Sequence, residues 1–423
     1  MKILLYCLNY SPELTGIGKY TGEQAEWLAS RGHEVRVITA PPYYPAWKVD
    51  PAYGGLRYRR EMRNGVDVMR APLWVPQRPS GLKRVLHLAS FAITSVGWLV
   101  RQVTWRPDVL FIVEPPLFCS PAALIFSRLT GCKAWLHIHD YEIDAAFELG
   151  LLKGKFLRRM ASAFERFVLK RYDHVSSISN AMVTLARRKG ADDAHLTMLP
   201  NWVDLDALAQ RSGVDFRKQL GIPRNAIVAL YSGTIGAKQG IEILPEAAEH
   251  LRHREDLHFI FCGAGSGVAD LRTRCEGLAR IHFLPLQPVA DFPSLLACAD
   301  IHLMPQRADA ADLVLPSKLA AMLVSAKPVV ATAAPATELG KLVVQCGIVV
   351  EPGDSVALAN AIEELVDDPP RCRALGEAGR LWAAMHLDRD AVLAGFEATL
   401  QRVHAPQGTA GPATVDYVGE SPE

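Results

Sequence analysis

Apolar runs of strand length alternate with helix-patterned segments along almost the whole chain, and no other feature constrains the fold as tightly. The runs 2–8, 35–40, 66–70, 109–113 and 134–139 are separated by amphipathic stretches near 20–31, 83–103 and 121–130. A second series, 227–231, 257–262, 281–284, 301–304, 328–331 and 347–350, repeats the rhythm with its own helical intervals. Such alternation predicts parallel sheets covered by helices on both faces. At 423 residues the chain exceeds one usual core, so two doubly wound α/β domains are expected. The polar interval 201–224 separates the series and reads as the inter-domain link. The segment 405–423 is rich in Pro, Gly and Thr and reads as a disordered tail.

In sheets of this kind, ligands bind at the carboxyl ends of the strands, where strand order reverses. The loops 9–18, 139–144, 233–240, 263–267 and 304–317 occupy those places, and most of the unusual glycines, histidines and lysines fall in them. In the most informative stretch, a buried run ends at Tyr231 and passes through Ser232, Gly233, Thr234, Ile235 and Gly236 to Lys238 and Gly240. A strand, a glycine turn, a lone cation and a helix start can cradle an anion, or can simply connect a strand to a helix. Gly16 and Gly18 follow the first strand with the same two readings. Gly263 and Gly265 also follow a strand, but Val268 stands where a dinucleotide fingerprint needs glycine, so these glycines read as permitting a close turn. His137 and His139 share one face of a strand end, with His139 nearer the loop and His137 the likelier packing residue. Pro316, Ser317 and Lys318 read as a helix start with Ser317 as cap, and a lysine there opposes the helix dipole unless an anion is bound.

A net charge of +1 gives no basis for nucleic-acid binding, and the eight scattered cysteines suit reduced core thiols. The N-terminal run stops at Asn9 and reads as a strand, not a signal peptide. Segment 85–100 holds 16 uncharged residues between Lys83, Arg84 and Arg101. It is short for a membrane span and reads as a core helix or as an interfacial helix, with Trp98 suited to the headgroup boundary. The basic amphipathic stretch 151–172 reads as a solvated face or as a contact for anionic lipid.

Taken together, these pieces resemble the family-4 retaining glycosyltransferases of GT-B fold over residues 1–400. The resemblance lies in GIGKYTGEQAEWLASRGHEVRVIT, His139-Asp140, Asn201-Trp202-Val203-Asp204, Gly233 with Lys238-Gln239-Gly240, PSKLAAMLVSAKPVVAT and GIVVEPGD. LNYSPELTGIGKYTGE, HDYEIDAAFELG and SGTIGAKQG are most similar to the colanic-acid-type fucosyltransferases of exopolysaccharide assembly. The resemblance implies an acceptor-side domain at 1–203, joined by a returning segment at 380–403, and a donor-binding domain at 204–379, facing across a cleft. It implies catalytic roles for His139 and Lys238, with donor contacts from Gly16, Gly18, Gly233, Thr234, Gly263, Gly265, Pro316, Ser317 and Lys318. It further implies a nucleotide-sugar donor, GDP-fucose foremost, a polyprenyl-diphosphate-linked acceptor, an anionic membrane surface at the cytoplasmic face, and neither a metal nor another cofactor.

Two departures stand out. Where relatives carry paired glutamates, this chain has Leu313 and Ala321, leaving ribose recognition to backbone or to Glu338. Thr234 replaces an expected basic residue, which shifts weight onto Lys318. A sugar phosphorylase or epimerase, or a non-catalytic nucleotide-sugar-binding subunit, are the competing classes. No pair of carboxylates of the glycosidase kind is evident.

Overall fold

The computed structural model describes residues 1–13, 16–77, 81–148, 154–236, 239–308 and 316–405. The chain divides into two compact units, one of Met1–Pro200 with the chain from Val392 onward, the other of Asn201–Ala391.

In the first unit the strands are β1 (Lys2–Tyr6), β2 (Glu34–Thr39), β3 (Arg59–Arg63), β4 (Val66–Arg70), β5 (Val109–Glu114), β6 (Lys133–Ile138), β7 (His174–Ser177) and β8 (Leu196–Met198). Its helices are α1 (Ile17–Ser30), α2 (Gly81–Arg101), α3 (Ser120–Thr130), α4 (Glu142–Glu148), α5 (Lys155–Leu169) and α6 (Asn180–Arg188). The sheet runs β3-β4-β2-β1-β5-β6-β7-β8. Every pair is parallel except β3 with β4, which adds an antiparallel edge to the all-parallel arrangement expected. Strand order reverses between β1 and β5. The steps from β4 through β8 all run one way, so right-handed crossovers place α2, α3, α5 and α6 on one face. Fully buried strands such as β5 carry VLFIVE, apolar on both faces because helices cover both.

The second unit opens with α7 (Leu205–Ala209) and α8 (Phe216–Gln219). Its strands are β9 (Ile227–Thr234), β10 (Leu257–Ala264), β11 (Ile281–Leu284), β12 (Ile301–Met304), β13 (Val329–Thr332) and β14 (Gly347–Val350). Between and after them come α9 (Ile243–His250), α10 (Val268–Arg274), α11 (Phe292–Cys298), α12 (Ser317–Val324), α13 (Glu338–Val343), α14 (Ser355–Asp367) and α15 (Pro369–His386). The sheet is wholly parallel, in order β11-β10-β9-β12-β13-β14, and reverses between β9 and β12.

Two boundaries differ from the sequence reading. Residues 201–224 belong to the second unit, because Phe216 and Ile222 are buried in its core with Val228 and Leu295. Asp204 caps α7 through the Ala207 N–H and pairs with Arg389. The return to the first unit starts at Val392, not near 380, because α15 packs on α12 and α14. The last helix, α16 (Arg389–His404), then buries Phe396 against Phe111 and Trp135, at ring separations of 5.0 and 5.3 Å. Glu397 accepts from Arg31 at 3.2 Å and pairs with His33 at 3.0 Å. The eight cysteines are all free. The expected tail falls, from residue 406, outside the described residues.

Candidate active site

In the second unit, the carboxyl ends of β9 and β10, beside the point of order reversal, are locked together by backbone. Gly233 has φ +144°, in the left-handed region that glycine adopts without strain. A Cβ on Gly263 would lie 1.9 Å from the Gly233 carbonyl oxygen, and one on Gly265 would lie 2.1 Å from that of Ile235. The amides of Ile235 and Gly267 close this seam, donating to Ala264 and Ile235 at 2.9 and 3.0 Å. Gly263 and Gly265 therefore let β9 and β10 end in contact, consistent with their reading as a close turn. Thr234 ends β9 exposed, and its carbonyl accepts from the Tyr231 hydroxyl at 2.5 Å.

Lys318 lies in the first turn of α12, and its side-chain stem runs along Gly233, whose Cβ would stand 3.4 Å from the Lys318 Cδ. The ammonium sits over the Tyr231 ring, 4.4 Å from its centroid. Burial lowers its pKa to about 8, and no carboxylate among the described residues offsets that burial. The cap of α12 is Pro316 and not Ser317, which is the first helical residue and exposed. Pro316 supplies no side-chain acceptor, so among the described residues no side chain caps the N–H groups of the first turn. Glu338 opens α13 behind its cap Thr337, at the carboxyl end of β13. A half-buried cation with no counter-ion among the described residues, a cation–π face and a helix start without a side-chain cap together suit a phosphate-bearing ligand. Lys238 and Leu313 lie outside the described residues.

In the first unit, Gly16 caps α1 with φ +62°, and no acid occupies the first helical turn. A Cβ on Gly18 would lie 2.6 Å from Glu13 Oε2. Glu13 is buried, accepts from the amides of Tyr43 and Tyr44 at 3.0 Å each, and accepts from Asn9 Nδ2 at 2.9 Å. Burial raises its pKa, and those hydrogen bonds oppose the rise. Sequence reading missed Glu13, since an isolated loop acid has no periodic signature. It missed Tyr231 because an aromatic at a strand end reads as core.

His139 follows β6, with its amide donating to the Glu114 carbonyl at 3.0 Å. Its ring stacks on Tyr20 of α1 at 6.2 Å and meets His137 edge-on at 4.5 Å. Burial lowers its pKa to about 4, so it is neutral at pH 7, and its Nε2 is buried with no hydrogen-bond partner among the described residues. His137 is the packing residue, paired through Nδ1 with Ser176 Oγ at 2.9 Å. Gly16, Gly18 and His139 thus converge through α1 on one corner of the first unit. Trp98, which suits a core helix or a headgroup boundary by sequence, is buried and donates through Nε1 to the Arg70 carbonyl at 3.1 Å.

The sequence of both units matches known proteins. Residues 15–202 match a glycosyl transferase 4-like domain, and residues 226–368 match the glycosyl transferases group 1. A glycosyl transferase of Escherichia coli (strain K12) named for colanic acid biosynthesis is 44% identical over 407 residues, 94% of this chain and 98% of that one. The chain belongs to the family-4 glycosyltransferases. Sucrose-phosphate synthase from Thermosynechococcus elongatus superposes on this family-4 glycosyltransferase with TM-score 0.71 at 18% identity, covering 95% of this chain and 99% of that one. Anabaena HepE in complex with UDP does so with TM-score 0.67 at 19% identity, covering 95% and 100%. Both place the glycosyltransferase in the GT-B fold.

Proposed function

We propose that this glycosyltransferase moves fucose from GDP-fucose to a polyprenyl-diphosphate-linked sugar during exopolysaccharide assembly of the colanic-acid type. The reaction takes place at the cytoplasmic face of the cell membrane. The observation that carries the donor site is Lys318, a half-buried residue whose ammonium has no carboxylate partner among the described residues, held over Tyr231 beside Gly233 at the carboxyl ends of β9 and β12. A nucleoside diphosphate supplies the missing negative charge. The 44% identity to a glycosyl transferase named for colanic acid biosynthesis supports the pathway class, and the UDP complex of Anabaena HepE supports a nucleotide donor.

Transfer breaks the bond between the anomeric carbon and the diphosphate oxygen. Lys318, Lys238 and the N–H groups near Gly233 stabilise the charge on the leaving group. Neutral His139 orients the donor sugar near its anomeric carbon. The acceptor hydroxyl attacks on the same face and its proton passes to the departing phosphate, so configuration is retained. No metal is required in this scheme. Pro316, Ser317 and Thr234 line the donor, and Glu338 contacts the ribose.

Binding screens across GDP-, UDP- and dTDP-sugars test the donor, with GDP-fucose expected to bind tightest. Lys238→Ala is expected to abolish most transfer while leaving the melting temperature unchanged. Wild-type turnover in that variant would refute the assignment.

A further inference from the structure

The helix α2 is apolar on two opposite sides. Phe91, Trp98 and Leu99 face inward and are buried. Leu82, Leu86, Ile93, Val96 and Val100 recur at helical spacing along the opposite side and are exposed, Ile93 to 74%. A helix apolar all round needs cover on every side, and only half of α2 has it. Its neighbours on the same sheet face repeat the arrangement. On α3, which packs against α2, Leu129 is 71% exposed. On α5, Phe156 is 77% exposed, with Met160 and Phe167 also uncovered.

Charge on these three helices has one sign. They carry three Lys/Arg residues on α2, one on α3 and four on α5. Their one acid, Glu165, is buried and paired with Lys189. A second copy docked on this face would set cations against cations in either orientation. Among the described residues, no helix is long and apolar enough to cross a membrane.

We propose that α2, α3 and α5 form one docking face that lies in the headgroup boundary of an anionic bilayer, with the outer stripe of α2 inserted among the acyl chains. This deepens the membrane-surface reading above and rests on it. The basic stretch around α5 supplies attraction, and α2 supplies depth.

The test uses the full chain with vesicles of phosphatidylcholine alone and of phosphatidylcholine mixed with phosphatidylglycerol. Co-sedimentation is expected with the anionic vesicles only. Leu86→Gln and Ile93→Gln are each expected to weaken it on the order of tenfold, and Arg158→Gln/Arg159→Gln by a similar, salt-sensitive factor. Transfer to a short-chain, water-soluble acceptor should be unchanged in all of them, so failure of the docking face is distinguishable from failure of the catalytic reading. The melting temperature reports folding, and the substituted side chains are exposed. Binding that ignores the α2 substitutions would overturn the proposal. So would concentration-dependent dimerisation abolished by Ile93→Gln, since a second copy would then be the occupant.

Discussion

Burial holds the Lys318 ammonium at a pKa of about 8, below the 10.5 of a solvated lysine. Its charged form therefore destabilises the empty protein below about pH 8, and that penalty fades as pH rises toward 10.5. Lys318→Met should raise the ligand-free Tm by a few degrees, about 1 kcal/mol. The same change should weaken GDP-sugar binding by roughly tenfold or more. Thermal melts and titration calorimetry check both arms, and unchanged donor affinity would remove Lys318 from the site. In the wild type, kcat/KM should fall on the alkaline side of about pH 8 as the free ammonium loses its proton. Thr234 could be read as a missing cation, but how far Lys318 is desolvated could not, because burial depends on Tyr231 and Gly233 meeting it in space.

At the scale of elements, the glycine seam between β9 and β10 is rigid because backbone meets backbone. Gly263→Ala would drive a Cβ to 1.9 Å from the Gly233 carbonyl oxygen, so the strand ends must part. The expected cost is about 2–3 kcal/mol of stability together with loss of donor binding, read by denaturant unfolding and calorimetry. In the first unit, Glu13→Ala leaves three donors without their acceptor and should cost about 1–3 kcal/mol, with a raised KM for the donor as the loop before α1 loosens. Long apolar strands such as β5 and β10 were legible because burial on both faces leaves a continuous run. The edge strand β3 was not, since RREMR is charged at four of its five positions and has no apolar run. The short strands β7 and β8 were hidden between helices. Ser317 was misread as a cap because the turn of Pro316 already starts the helix.

Over the whole molecule, the first unit collects buried ionisable groups with opposing pH responses. Burial and neighbouring acids raise Glu142 to about 7, and Glu114 beside it is raised as well. Stability from keeping Glu142 protonated is present at low pH and is lost as pH rises from 4.5 toward 7. Burial lowers His139 to about 4 and His174 to about 3, so their contribution is present above pH 6.5 and is lost on acidification. Glu142→Gln keeps an acceptor for the Leu117 amide and should flatten the decline in unfolding free energy between pH 4.5 and 7. Denaturant melts across that range check this, and an unchanged slope would rule out Glu142 as the cause. That two such units exist was legible from the repeated rhythm of strands. The boundary near Val392 was not, since it depends on which core accepts α16.

The placement of Phe396 has a consequence for synthesis. A ribosome completes residues 1–200 long before it emits α16, and at about 5–20 residues per second the gap lasts roughly 10–40 s. Throughout that interval Phe111 and Trp135 lack the ring that covers them, and Arg31 and His33 lack Glu397. The unit translated first is therefore the last to close.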